Sequence, residues 1–410
     1  MRLNNLFIYP QHIHFATVKY GLLLDLWFKV EHILNYFQNI PFSQIDIIGI
    51  SVVGFGILMG WYYTFVYHFR VKPINSENSN QFSEPVSVII CAKNAVLLLE
   101  DNLHLWLEQD YPEFEVIVVD DCSGDETAYF LVRESEKEPR LKYVLLDPTV
   151  IKNGSKKLAL TLGIKKAQYK NILLTDADCL PVGNQWIQEM MNSKTKEKNI
   201  VLGISPVDGG KGFLGGLVEY ENLFTALNYT GMAMAGLPYM GVGRNLSYTK
   251  DIYDSVNGFS SHHHIPAGDD DLFIQSVSNG LNTSVCLSTN SFTTTKGPKN
   301  FQHYWRQKMR HLWVGRMYRS GVKFHLMWYP LSQLIFWISL VLFFIIGSHW
   351  IYPTALVSLK LITEWIIYFR KGKKLQMRKG ANWYPIYNLV TTVWYPYISI
   401  RAYFKKRIIW

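Results

Sequence analysis

Short apolar runs that close on acidic residues alternate with stretches of helical spacing, and this alternation leaves few folds open. Residues 86–91, 114–119, 141–146 and the run ending Leu173-Leu174-Thr175-Asp176 read as buried strands. Residues 97–107, 127–138 and 156–167 between them have helical spacing. Strands and helices in alternation predict an α/β domain with a parallel, doubly wound sheet. Ligands of such sheets collect beyond the carboxyl ends of the strands. Asp120-Asp121 and Asp176-Ala177-Asp178 both fall there.

In extended backbone, side chains two apart share a face. Asp176 and Asp178 are therefore expected to converge as the strand exits. Two convergent carboxylates suit a hard divalent cation, Mg²⁺ or Mn²⁺, which in turn suits a diphosphate. Taken alone, an Asp-x-Asp is more often only a polar strand end. Asp120-Asp121 can accept a hydrogen bond from a base N–H, or can simply sit solvated at a helix N-terminus. Ser155-Lys156-Lys157 puts two cations at a helix start, against the dipole. Either a nearby diphosphate or surface solubility accounts for them, and the phosphate-loop frame G-x-x-x-x-G-K-[ST] is absent.

Gly268-Asp269-Asp270-Asp271 stacks three carboxylates at another helix start. Their repulsion can raise one pKa and make a general base, or one Asp caps the helix and the others are solvated. His262, His263 and His264 upstream read as a loop rather than a metal site. Gln307 to His311 lies in a basic, aromatic stretch that reads as an amphipathic helix on a membrane surface. Arg310 there can clamp a phosphate and Trp313 can stack on a sugar. The many glycines of residues 203–243 suggest irregular, mobile backbone around a substrate.

Residues 47–67 carry no charge and, at about 1.5 Å per residue, match about 30 Å of hydrocarbon. The expected organisation is an interfacial segment (1–44), a transmembrane helix (45–69), a linker (70–84) and a catalytic domain (85–300). An interfacial helix (301–326), two transmembrane helices (327–369) and a basic loop with an apolar or interfacial C-terminal segment (370–410) follow. With 18% charged residues and a net charge of +9, the composition is not that of a disordered chain. It fits a soluble domain joined to membrane segments, with cations facing anionic lipid or substrate. The cations cluster at the membrane flanks, which argues against a nucleic-acid partner. Cys91, Cys122, Cys179 and Cys286 form no C-x-x-C, so neither a disulfide framework nor a zinc site is indicated. The first forty residues lack the order of a cleavable signal.

Together, Ser87 to Asn94, Val118-Val-Asp-Asp-Cys-Ser-Gly-Asp125, Lys156-Lys-Leu-Ala-Leu160, Asp176-Ala-Asp178, Gly243-Arg-Asn-Leu246, Gly268-Asp-Asp-Asp-Leu272 and Gln307-Lys-Met-Arg310 resemble the membrane-bound family-2 glycosyltransferases of bacterial type. The resemblance covers residues 85–315 and implies a GT-A fold, a mostly parallel sheet with flanking transmembrane and interfacial helices. It implies that Asp120 or Asp121 recognises the nucleotide base and that Lys156 lies near the donor. Asp176 and Asp178 would hold the sugar-nucleotide, Asp178 as the direct metal ligand. Asp269 matches the catalytic base, with Asp270 its nearest rival. Gln307 and Arg310 match a Q-x-x-R-W motif near diphosphate and acceptor. His311 stands in place of the tryptophan, which speaks against processive synthesis.

The expected activity is inverting, Mg²⁺- or Mn²⁺-dependent transfer from a UDP- or GDP-sugar to a hydroxyl of a lipid or lipid-linked acceptor. The expected place is the cytoplasmic face of a bacterial inner membrane, with the chain crossing it several times. A processive polysaccharide synthase and an inactive nucleotide-sugar-binding membrane scaffold are the alternatives.

Overall fold

The computed structural model describes residues 43–72, 82–147, 149, 155–265, 267–347 and 349–405. Most of the expected interfacial segment 1–44 and of the linker 70–84 lies outside the described residues. In chain order the elements begin with α1 (Gln44–Val66), β1 (Val86–Ala92), α2 (Val96–Leu107), β2 (Phe114–Asp120), α3 (Thr127–Ser135), β3 (Leu141–Leu145), α4 (Lys156–Lys166) and β4 (Asn171–Asp176). Next come β5 (Leu180–Pro181), α5 (Trp186–Asn192), β6 (Ile200–Leu202), β7 (Val207–Asp208), α6 (Gly212–Met234), β8 (Leu246–Thr249) and α7 (Lys250–Asp254). The chain continues through α8 (Asp271–Val277), β9 (Thr283–Val285), β10 (Thr293–Lys296), α9 (Phe301–Gly315), α10 (Ser320–Ile346), α11 (Ile351–Lys374), α12 (Arg378–Asn382) and α13 (Tyr384–Phe404).

Two compact units divide these elements. The larger, residues 56–334 and 359–410, holds a seven-stranded sheet in the order β3-β2-β1-β4-β8-β6-β9. β1 to β4 run parallel, β8 is antiparallel to both neighbours, and β6 pairs parallel with β9. A parallel sheet covered on both faces needs apolar residues on both, which is why these strands read as continuous apolar runs. Alternate residues serve opposite layers. Ile89, Ile117, Val119, Ile172 and Leu174 meet α4 and α6, whereas Val88, Ile90, Val116, Val118 and Leu173 meet α2, α3 and α5. α4 approaches closely because Gly163 lacks a Cβ, which would lie 2.7 Å from Ile89 Cγ2. Pairing sets Ala92 opposite Asp120 and Cys91 opposite Asp176, so the acidic ends of β2 and β4 flank the end of β1.

The glycine-rich stretch departs from the expected irregular backbone. Residues 212–234 form one helix, α6. Its glycines serve close approach: a Cβ at Gly216 would land on the Tyr387 hydroxyl, and one at Gly231 on the Tyr67 carbonyl. α12 docks on the same helix, since a Cβ at Gly380 would meet the Tyr220 backbone nitrogen.

The smaller unit comprises residues 1–55 and 335–358. In it Asp46 accepts from the Ser43 backbone N–H at 3.1 Å and hydroxyl at 2.6 Å, and lies 3.1 Å from His349 Nδ1. Among the described residues two helices are long and apolar enough to cross a membrane, Gln44–Arg70 and Ser320–Ile346. α11 instead carries a buried Lys360–Glu364 pair at 2.7 Å and three lysines in its last turn.

Candidate active site

β4 ends at Asp176, and Ala177-Asp178 form a turn rather than continuing extended. The expected convergence therefore arises by a different route, through the turn and not through strand alternation. One ligand atom each from Asp176, Asp178 and Cys179 lie within 4.8 Å of one another, the one such group among the described residues. Asp178 is exposed and its Oδ1 accepts from Cys179 Sγ at 3.0 Å. Burial, then Asp176 and Asp178, push the Cys179 thiol well up, leaving the carboxylate oxygens as the ready ligands. Oxygen donors on an open turn fit Mg²⁺ or Mn²⁺.

Lys156 opens α4, whose N-cap Ser155 accepts from Leu158 N–H at 3.2 Å. Its Nζ lies 2.7 Å from Asp176 Oδ1 and 3.3 Å from Asp269 Oδ2. Burial opposes the charge, but Asp176 and Asp269 outweigh it and hold the ammonium well above its usual range. A cation that opposed the helix dipole in sequence is thus explained by two carboxylates.

The three acids of the α8 turn are not equivalent. Asp270 caps the helix: its Oδ1 accepts from Asp271 N–H at 2.8 Å and its Oδ2 from Gly243 N–H at 2.9 Å. Asp271 accepts from Leu272 N–H at 2.7 Å and from the Tyr318 hydroxyl at 2.6 Å. Asp269, 7% exposed, faces Lys156. Burial would raise its pKa, but Lys156 and Lys157 overcome this and hold it below the usual carboxylate value. Burial and Asp269 raise Asp270, and burial and Asp270 push Asp271 up to about 7. One raised carboxyl was expected; the raised ones are the two whose oxygens are already bonded. Gly243 leaves the space between these groups open, since a Cβ there would lie 3.3 Å from Lys156 Nζ and 3.6 Å from Asp269 Oδ2.

At the end of β2 the Asp pair divides similarly. Asp120 Oδ1 accepts from the Ser123 backbone N–H at 3.2 Å and from its hydroxyl. Asp121 Oδ2 lies 3.8 Å from Lys93 Nζ, while its buried Oδ1 has no partner among the described residues. Burial raises both carboxyls. Asp121 is therefore the one with an acceptor to offer.

Gln307 and Arg310 are one turn apart on α9, and both are half-buried. Burial disfavours the Arg310 charge and Asp269, Asp270 and Asp176 support it, so the guanidinium faces the acidic groups. α9 is anchored by Glu221 of α6, which accepts from the Tyr304 hydroxyl at 2.7 Å and meets Lys308 Nζ at 2.7 Å. Trp313 is occupied elsewhere. It is buried, donates to the Lys405 carbonyl at 3.0 Å and carries Arg316 4.4 Å above its ring, so the expected stacking on a sugar is not supported. His263, His264 and His311 are exposed. Sequence reasoning passed over Glu221 and Tyr318, which carry no local signal, and read Lys157 only as a second cation at a helix start.

A model of the family described as Glycosyl transferase family 2 matches residues 87–240. A poly-beta-1,6-N-acetyl-D-glucosamine synthase of Staphylococcus epidermidis is 32% identical over 124 residues, 29% of this chain and 29% of that protein. A putative teichuronic acid biosynthesis glycosyltransferase of Bacillus subtilis, TuaG, is 33% identical over 176 residues, 42% of this chain and 59% of that one. The match thus spans less than two thirds of the length of these relatives. In structure the chain is similar to the mannosyltransferase PcManGT from Pyrobaculum calidifontis, solved with GDP-Man and Mn²⁺. The TM-score is 0.54 at 18% identity, over 84% of this chain and 99% of that one. That likeness shows the fold, GT-A. The acidic ends of β2 and β4 frame the site on that fold, and residues 87–240 within it are similar to glycosyl transferase family 2.

Proposed function

We propose that the chain is an inverting, metal-dependent glycosyltransferase that moves a sugar from a UDP- or GDP-sugar to a hydroxyl of a lipid-linked acceptor. The observation that carries this is Lys156, which joins the metal-suited turn to the α8 acids through Asp176 and Asp269. The complex of PcManGT with GDP-Man and Mn²⁺ supports the donor class and the ion. The two apolar helices support a site beside a membrane, which we place at the cytoplasmic face of a bacterial inner membrane.

Asp178, with Asp176, would hold the divalent ion, which when bound neutralises charge on the nucleoside diphosphate leaving group. Asp121 Oδ1 accepts a base N–H of the donor. Lys156 and Arg310 receive the diphosphate oxygens as their charge grows. Asp269, kept ionised by Lys156, takes the proton of the acceptor hydroxyl. The acceptor oxygen bonds to the anomeric carbon as the bond to the diphosphate oxygen breaks. This single displacement inverts the configuration.

A processive polysaccharide synthase is the second reading, favoured by the likeness to the S. epidermidis synthase. His311 in place of the motif's tryptophan favours single transfers. The deciding experiment is transfer into lipid extract by the purified full chain in detergent. A panel of UDP- and GDP-sugars is offered with Mn²⁺ or Mg²⁺, with and without chelator. Chelator-sensitive incorporation from one donor, lost in Asp269→Asn, is the expected result, and product length separates the two readings. Full transfer by Asp269→Asn and Asp178→Ala overturns the assignment. Donor binding without turnover by the wild type points to an inactive scaffold.

A further inference from the structure

Lys156 and Lys157 are neighbours in sequence but, about 100° apart around the helix, they reach different groups. Lys156 meets carboxylates. Lys157 is 7% exposed and its Nζ meets backbone carbonyls: His262 O at 2.7 Å, Ile265 O at 2.9 Å and Ala267 O at 2.7 Å. An ammonium has three N–H donors. All three are used, and each goes to a different residue of the segment that runs into Gly268 and Asp269. Nothing in the transfer mechanism above uses this lysine.

We infer that Lys157 is a positioning residue, an ammonium clamp that sets the loop 262–267 and thereby the place of Asp269 relative to Lys156. Several observations make a surface or filler role inadequate. Burial costs a lysine its hydration, so its charge must be repaid by dipoles or carboxylates. Burial lowers it to about 8, while Asp269, Asp271 and Asp270 partly offset the loss. Among its described residues the loop carries a short 3-10 turn at Ser260–His262 and no longer element. Its end is set by Gly268 at φ +90°, a conformation that tolerates little else. One cation drawing three carbonyls to a point closes the loop on α4, the helix that also presents Lys156. The clamp and the Lys156–Asp269 pair thus hang from the same turn of one helix, which fixes their separation.

The inference rests on the transfer reading for its kinetic arm and is independent of it in its exchange arm. Lys157→Met keeps the length and loses the donors. Turnover is expected to fall about 30- to 100-fold, with KM for the donor within roughly threefold, because a misplaced base costs rate rather than donor binding. Amide exchange of residues 262–268 is expected to rise at least about tenfold while β1 to β4 stay protected. Lys157→Ala is expected to regain rate and protection on adding ethylammonium, which can refill the carbonyl cradle. Wild-type kcat with unchanged exchange in Lys157→Met overturns the inference. So does exchange that rises across the whole sheet with no rescue by the amine, which marks a general loss of packing. If the wild type itself transfers no sugar, the transfer reading fails, and the exchange of residues 262–268 still decides the clamp.

Discussion

Lys156 and Asp269 form an ion pair across the carboxyl end of the sheet, 3.3 Å from Nζ to Oδ2, while the same Nζ holds Asp176 at 2.7 Å. One cation therefore couples two acidic clusters that are far apart in sequence. Without it, Asp176, Asp269 and Asp270 would face one another with their charges poorly balanced.

Lys156→Met removes that balance. Asp269, now held below its usual value, should titrate higher, so the acid limb of the pH–rate profile should move to higher pH. Turnover should also fall roughly a hundredfold through loss of the proposed contact to the diphosphate. A pH series of kcat/KM checks both. An acid limb that stays in place means that Asp269 is not the titrating base.

Asp178 is the exposed acid of the metal-suited turn. Asp178→Ala should raise the Mn²⁺ concentration needed for half-maximal transfer and lower the saturated rate on the order of a hundredfold. Asp178 lies beyond the strand, so melting of the detergent-solubilised protein should be unchanged. Transfer is measured against titrated Mn²⁺ after chelator treatment.

Asp271 gives a pH-dependent stability. Burial and Asp270 raise it from 3.8 to about 7 in the folded chain. Between those values the folded state binds more protons than the unfolded one, so stability falls as pH rises. The slope is up to about 1.4 kcal/mol for each pH unit crossed. Asp271→Asn should remove that slope, and its melting temperature relative to wild type should be more favourable at pH 8 than at pH 5. Tyr318→Phe deletes a hydroxyl that donates to the ionised form and should extend the loss to higher pH.

Glu221 holds α9 to α6 through Tyr304 and Lys308. Glu221→Leu leaves Lys308 near an apolar wall and should destabilise the docking of α9 by about 3 kcal/mol. Transfer should drop by more than donor binding, because the proposed contacts of Gln307 and Arg310 ride on α9 while those proposed for Asp121 and Asp178 do not. Calorimetric donor titration beside the transfer assay separates the two. Equal losses in both would place Glu221 in the fold at large.

Much of this architecture was legible in the chain itself. Residues 88–91, 116–119 and 172–174 are apolar because a covered parallel strand has no wet face, so the type and order of these strands could be read directly. The same pattern placed Asp120 and Asp176 at strand ends, where the structure has them flanking β1. Periodicity failed at α6, because glycine reports backbone approach as readily as disorder. Gly216 and Gly231 are there for Tyr387 and Tyr67, residues remote in sequence. The Asp176–Asp178 convergence was anticipated from strand geometry but is made by a turn.

What composition and spacing determined was therefore local: the strands, the acidic strand ends, the charge-free helix and the three acids at a helix start. Which of those acids is tied up, which lysine serves a carboxylate and which a loop, and that Trp313 donates to a backbone carbonyl were decided by tertiary structure. The physical reason is that a charged group's role depends on which partners come within about 3 Å and on how much water they exclude. Those partners, Gly243, Tyr318 and the carbonyls of His262, Ile265 and Ala267, come from segments that only the folded sheet and its helices bring together.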